Sequence, residues 1–230
     1  MTKSDIKPLY FYLLSEVMGA IFTFTPAFSA WAAGAVFAAQ VWVHGFTWLA
    51  VFAPIVASLG LFVHQFIFFL LLPRLKPGRY RVGPNAMVLS WLAQLSLARA
   101  LHVSGLRSLV FSSGFFRFLY FRSMGARLSY RTSLSLNVYP VDYALITIGP
   151  GVLIGDRTEI SCHSMTDSFL ILDEVVIERG AFVSAHCAIG PGTRLKAGAH
   201  VGYGNNIAFF TLEEGCKLKN FEFQSGPPPP

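Results

Sequence analysis

The chain has 230 residues, of which 53% are hydrophobic and only 13% charged. Soluble domains carry about 25% charged residues, which excludes a globule surrounded by water on all sides and requires a membrane to supply part of the solvent. The net charge of +6 is unevenly placed: residues 1–141 carry twelve Lys and Arg against Asp5 and Glu16, a balance of +10, whereas 142–230 carry six basic and ten acidic residues, a balance of −4.

Between Val17 and Pro73 the only ionisable side chains are His44 and His64. A bilayer crossing takes about 20 apolar residues, so this run is long enough for two helices. His44-Gly45 is the natural break, which predicts spans at roughly 17–40 and 47–72 within a helical hairpin over 1–85. Pro26 and Pro54 fall inside the spans as potential kinks, and neighbouring helices can satisfy the backbone groups they free. Glu16, not a basic cluster, precedes an apolar run far too long for a cleavable signal. Lys3 and Lys7 flank the first span and Arg74, Lys76, Arg79 and Arg81 the second, with no Lys or Arg in the turn. The positive-inside rule then places both termini, and everything after Pro73, in the cytoplasm of a multi-pass inner or plasma membrane protein. Cys162, Cys187 and Cys216 are expected as reduced thiols there. His64 reads as a neutral imidazole hydrogen-bonded within the helix pair, against the functional role that an ionisable residue at membrane depth otherwise suggests.

Residues 86–127 alternate apolar runs with Arg99, Arg107, Arg117 and Arg122 and contain no acid. They read as helices lying in the membrane interface with arginines toward anionic lipid head groups. A nucleic-acid partner is not expected, because so much Phe and Leu separates these charges.

The remaining chain, 128–222, shows a six-residue period. Aliphatic anchors stand at Ile148, Ile154 and Ile160, then at Ile171, Ile177, Val183, Ile189, Leu195, Val201 and Ile207. Four residues after the first nine anchors come Val152, Thr158, Ser164, Val175, Ala181, Cys187, Thr193, Ala199 and Asn205, eight of them small or β-branched. Such repeats are sought before other patterns because a missed period miscalls the whole fold. The pattern resembles the hexapeptide repeat of left-handed parallel β-helix proteins. That resemblance implies three hexads per triangular coil, three to four coils here, and a homotrimer of prisms packed side by side. The expected class is therefore α+β: two transmembrane helices and interfacial helices, then a left-handed parallel β-helix. Residues 223–230, rich in Pro, read as a disordered tail.

Ile160 to Ile171 is eleven residues, one hexad plus five, so residues within His163–Leu170 should loop out of the coil. His163 and His186 each follow an anchor by three. Discounting a five-residue loop leaves 18 residues between them, one full coil, which predicts two imidazoles stacked about 4.8 Å apart at the backbone.

Three segments carry a closer resemblance, over roughly 70–207. Tyr120-Phe-Arg-Ser-Met-Gly-Ala-Arg-Leu-Ser129 is similar to the "YLR-x-LGARIG" stretch of membrane-associated hexapeptide acyltransferase modules. These include the C-terminal regions of poly-lysine-synthetase-type and related nonribosomal-peptide-synthetase-like proteins. Asp142-Tyr-Ala-Leu-Ile-Thr-Ile-Gly149 resembles their "D-x-x-L-I-x-IG", and Ile160-Ser-Cys-His163 with its loop resembles their "L-x-T-H". Where the family often has an "FEDR"-like run after the histidine, this chain has Ser-Met-Thr-Asp.

The resemblance implies an acyltransferase in which a histidine acts as general base on a hydroxyl or amine acceptor that attacks a thioester carbonyl. His163 is the first choice for that base, Asp167 the carboxylate expected to orient it, and His186 a partner or second substrate contact. Ser164, Met165, Thr166 and Phe169 of the loop, with Tyr203 and Asn205, are candidate substrate contacts, although Gly204-Asn205-Asn206 also makes a simple corner. The group transferred is expected to be acyl or aminoacyl, carried on coenzyme A or on a carrier protein as a thioester, with no tightly bound cofactor, and membrane lipids are expected partners. Two other readings compete: a non-catalytic membrane-anchored scaffold, and a metal site like that of γ-class carbonic anhydrases. His200 lies out of phase for a third ligand in the latter.

Overall fold

A computed structural model describes residues 9–227. Lys3 and Lys7, on which the orientation of the first span partly rests, and Pro228–Pro230 of the expected tail lie outside the described residues. The described chain divides into a helical unit, 9–73 with 92–124, and a second unit, 74–91 with 125–227.

In the helical unit, α1 (Leu9–Val43) ends where the sequence breaks, at His44 and Gly45, the latter with φ of 77°. A 3-10 turn (Thr47–Phe52) leads into α2 (Ala53–Leu71). Pro26 is carried inside α1. Pro54 does not kink a span as expected: it sits in the first turn of α2, where its missing N–H costs nothing. Small residues let α1 and α2 approach closely, and a Cβ added at Gly34 would lie 3.0 Å from the Ala53 carbonyl oxygen. His64 Nδ1 is 2.8 Å from the Ser29 hydroxyl across this pair, and its ring stacks on Phe68.

The third helix is α3 (Ala86–Val103), which packs against the first two. Thr23 donates to the Ser96 carbonyl (3.1 Å) and the Trp31 indole to that of Ser104 (2.8 Å). Both partners advance by eight residues, so α3 runs lengthwise along α1 in the same direction. Gln65 of α2, fully buried, donates to the Leu97 carbonyl at 2.7 Å. The helices α4 (Arg107–Ser112) and α5 (Gly114–Ser123) follow, with Ser113 capping α5 by accepting from the Phe116 amide. Arg117 is turned inward and donates to the Phe111 carbonyl, whereas Arg99 and Arg122 stay exposed. Among the described residues three segments are long and apolar enough to cross a membrane: α1, residues 47–71, and α3, with 35, 25 and 18 residues.

The second unit is a parallel β-helix with three faces of five strands each. The first face comprises Arg127–Leu128, Ile146–Ile148, Val175–Ile177, Arg194–Leu195 and Thr211–Leu212. The second comprises Ser133–Leu134, Leu153–Ile154, Phe182–Val183, His200–Val201 and Lys217–Leu218, and the third Tyr139–Pro140, Glu159–Ile160, Ala188–Ile189, Asn206–Ala208 and Phe223–Ser225. Strands this short have no hairpin or long ladder of their own, so stacking on the coils above and below supplies their backbone partners. The anchors Ile148, Ile154, Ile160, Ile177, Val183, Ile189, Leu195, Val201 and Ile207 are all buried, forming the interior. So are eight of the nine residues that stand four after an anchor, Ser164 being the exception. Close stacking demands glycine at Gly155, where a Cβ would lie 2.5 Å from the Ala185 amide nitrogen.

The fold class is as expected, helices followed by a parallel β-helix, but its extent and phase differ in three places. Five coils are present instead of three to four. Two extra residues around the 3-10 turn Tyr143–Leu145 hide the earlier anchors Leu128, Leu134 and Pro140, and a shortened step after Ile207 hides Leu212 and Leu218. Phe223–Ser225 pairs with Asn206–Ala208 and so belongs to the β-helix, not to a tail. Finally, Ile171 is no solenoid anchor. It pairs with Arg79 and Ser164 in a separate antiparallel sheet, and the coil resumes at Ile177.

Candidate active site

That antiparallel sheet is built on an eleven-residue insertion. After Ile160 the chain leaves the coil as the strand His163–Met165, turns at Thr166, and returns as Phe169–Leu172. Gly78–Arg81 adds a third strand on the outer side of the return. The turn closes with Thr166 N–H donating to the Phe169 carbonyl, and the Arg79 guanidinium stacks over the Phe169 ring at 4.0 Å. Met165, Thr166 and Asp167 are exposed at the tip, while Ser164 and Phe169 are half-buried.

His163 stands at the root of the insertion, its side chain 24% exposed. Its Nδ1 is 2.6 Å from Oδ2 of Asp142, whose side chain is only 1% exposed. Asp142 reaches this place through the two-residue expansion of the preceding coil, with φ of 59°, a left-handed conformation that Asp tolerates better than most residues. Its Oδ2 also accepts from the Cys162 amide (3.1 Å), and its Oδ1 accepts from the Trp91 indole (2.9 Å). The Trp91 ring meets the imidazole edge-on at 5.0 Å. Ser161 pins the local backbone by donating its hydroxyl to the His163 carbonyl at 3.2 Å.

This arrangement sets the tautomer. A carboxylate only accepts, so Nδ1 carries the proton and Nε2 presents a lone pair. Burial works against the charged imidazole, but the hydrogen bond and charge of Asp142, with a smaller contribution from Glu159, outweigh it, and His163 lies above its ordinary value of 6.5. It is thus a base strengthened by an oriented carboxylate. The neighbouring Cys162 thiol is pushed the other way, well above its ordinary value by burial and then by the Asp142 charge, so it is protonated and no nucleophile.

Two expectations about this site are corrected. The carboxylate bonded to His163 is Asp142, while Asp167 lies at the hairpin tip. His163 and His186 do not stack. Ala188 pairs with Glu159, so His186 lies in the turn above Arg157, both with positive φ, at a different corner of the prism. The reason is the length of the insertion: eleven residues instead of five leave twelve between the histidines, two hexads and not three. His186 is exposed and its ring lies 5.1 Å from that of Tyr203, which in turn meets Phe221. Asn205 is buried and committed to the backbone: it donates to the Gly202 and Lys219 carbonyls and accepts from the Glu222 amide. The metal reading loses the histidine pair on which it rested. Among the described residues no group of three or more His, Cys, Asp or Glu could hold an ion.

Asp142 and Trp91 were missed as site residues. Asp142 was visible as the first acid after Glu16 and the head of the D-x-x-L-I-x-IG segment. Trp91 had no local signal, being fifty-one residues away from its partner. A groove of about 620 Å³ lies at another corner, between the first and second faces, lined by Arg131, Arg179, Glu214 and one glycine from each of four coils at Gly151, Gly180, Gly198 and Gly215.

No family model matches the chain, and no curated protein does. Among solved structures the chain is similar to serine acetyltransferase of Neisseria gonorrhoeae in complex with serine (10% identity, TM-score 0.34, covering 59% of this chain and 52% of that one). It is also similar to GDP-perosamine N-acetyltransferase of Caulobacter crescentus in complex with coenzyme A and GDP-perosamine (17%, 0.23, 48% and 51%). A third is serine acetyltransferase 1 of Entamoeba histolytica in complex with L-cysteine (14%, 0.32, 96% and 87%). The chain spans about half the length of the Neisseria and Caulobacter proteins.

Proposed function

We propose that this chain is a membrane-anchored acyltransferase in which His163 is the general base. The observation that carries the reading is the 2.6 Å contact between His163 and a carboxylate buried to 1% and held by two further donors. In this reaction Nε2 takes the proton from a hydroxyl or amine acceptor as its heteroatom attacks the thioester carbonyl. Asp142 holds the ring and stabilises the imidazolium that forms. Collapse of the tetrahedral intermediate breaks the C–S bond, and the proton on Nε2 passes to the departing thiolate. The exposed tip of the insertion, Met165 to Asp167, is the surface from which an acceptor reaches His163.

Coenzyme A is the donor favoured over a carrier protein, because the glycine floor of the 620 Å³ groove and its two guanidinium groups, set against the single carboxylate of Glu214, suit an extended, phosphate-bearing arm. Since that groove is on another corner from His163, the proposal includes a homotrimer. It also includes α1 and α2 as membrane-spanning helices among lipids, with α3 embedded beside them without a third crossing, so that the β-helix and both termini stay on the cytoplasmic side.

The test uses the purified full chain with acyl-coenzyme A of several lengths and a panel of amines and alcohols, following free thiol and acylated product together. Wild-type turnover that His163→Ala abolishes, with the circular dichroism of the β-helix retained, is the expected result. Equal thioester consumption and product formation by wild type and variant would leave the scaffold reading standing instead.

A further inference from the structure

The helical unit holds a polar cleft that the proposed reaction does not use. It is a cavity of about 360 Å³ between α1 and α3, walled by Ser15, Glu16, Gly19, Thr23, Ser96 and Arg99. The three hydroxyls are already committed as donors: Ser15 to the Tyr12 carbonyl, Thr23 to that of Ser96, and Ser96 to that of Leu92, at 2.7, 3.1 and 2.8 Å. A carboxylate and a guanidinium remain. Glu16 is the only charged residue of α1, and Arg99 the only Lys, Arg, Asp or Glu of α3. Both are exposed, and neither takes part in the ion pairs found among the described residues.

A lone charge on an apolar helix is costly and marks a functional site by default. Here two opposite charges line one cavity without meeting, which fits a ligand that carries an ammonium and an anion a few bonds apart. Beside the cleft, α1 exposes Leu13, Val17 and Phe24, an apolar strip along which acyl chains can lie.

We propose that this cleft binds the headgroup of a phospholipid bearing a primary ammonium. Glu16 accepts hydrogen bonds from the ammonium and Arg99 donates to the phosphate, the pairing that guanidinium geometry favours. The proposal rests on the reading of α1 and α3 as membrane helices. A choline headgroup has no N–H to donate, so discrimination between ethanolamine and choline lipids is the signature of Glu16.

The experiment exposes the purified full chain in detergent to phosphatidylethanolamine, phosphatidylcholine and phosphatidylglycerol, and counts retained lipid by native mass spectrometry. Wild type should retain the ethanolamine lipid about tenfold over the choline lipid, the range of one charge-assisted hydrogen bond. Glu16→Gln should remove that preference, Glu16→Asp should keep most of it, and Arg99→Gln should lower retention of all three lipids. Equal retention of ethanolamine and choline lipids by wild type, or a preference that survives Glu16→Gln, would overturn the proposal. Free O-phosphoethanolamine binding as tightly as the lipid would overturn the lipid as occupant. Carbonate extraction of cell membranes separates the two levels. Release of the chain removes the membrane reading and the cleft with it, whereas a retained chain lacking ethanolamine preference removes the cleft alone.

Discussion

His163 and His186 occupy the same position in their hexads, three residues after a buried aliphatic anchor, yet the fold treats them differently. His163 is largely buried at the root of an insertion, bonded to a buried carboxylate and edge-on to an indole. His186 is exposed in an uninterrupted corner, with positive φ and a tyrosine ring beside it. Hexad position alone therefore does not make a site. Two irregularities do: the insertion after Ile160, which lifts His163 out of the corner, and the expansion after Pro140, which turns Asp142 under it. A regular coil would have pointed both side chains into water.

The largest effect should come from breaking the contrast directly. His163→Ala is expected to lower kcat/KM for acyl transfer by about 10²- to 10⁴-fold, the range of general base catalysis, while His186→Ala leaves it essentially unchanged. Equal losses in the two variants, measured by thiol release, would mean that the corners are functionally alike. Asp142→Asn should cost about ten- to a hundredfold, since one charge-assisted hydrogen bond is lost. The pH profile sharpens this prediction. His163 acts as a base only when neutral and its pKa is raised, so the wild-type rate should climb through an inflection above 6.5. Removing the Asp142 charge should move that inflection to lower pH. Trp91→Phe keeps an aromatic ring and removes one donor to Asp142, which retains its other partners, so the expected loss is a few-fold in rate; a larger loss would make Trp91 a substrate contact.

The smallest effect concerns stability. A folded-state pKa above the unfolded value stabilises the protonated form, so His163 contributes stability that is complete below about pH 6.5. It is lost as pH rises through the folded value. Denaturant midpoints of wild type and His163→Gln should therefore differ most in acid and converge in base. A gap that widens with pH would show that Asp142 does not hold the imidazolium.

The helical unit offers a second measure of what was legible. The break at His44-Gly45, the two long apolar helices and the imidazole held within the pair were readable, because helix length and apolarity are local properties. The course of α3 was not. Arg99 and Arg117 look alike in sequence, and only packing decides that one stays exposed while the other is buried against a carbonyl.

For the chain as a whole, local chemistry determined a great deal. A scarcity of charge set the expectation of a membrane, an unbroken apolar run set the first two helices, and a six-residue period set the β-helix, since each is a pattern of neighbours. Two insertions and one shortened step then shifted the phase, and counting residues across them assigned Ile171 to the wrong sheet and His186 to the wrong corner. The His163–Asp142–Trp91 cluster joins residues 21 and 51 positions apart. Such contacts depend on how many residues each loop absorbs before the coil closes, a quantity fixed by packing and backbone pairing in three dimensions. The period was a property of the sequence, and the site was a property of where that period fails.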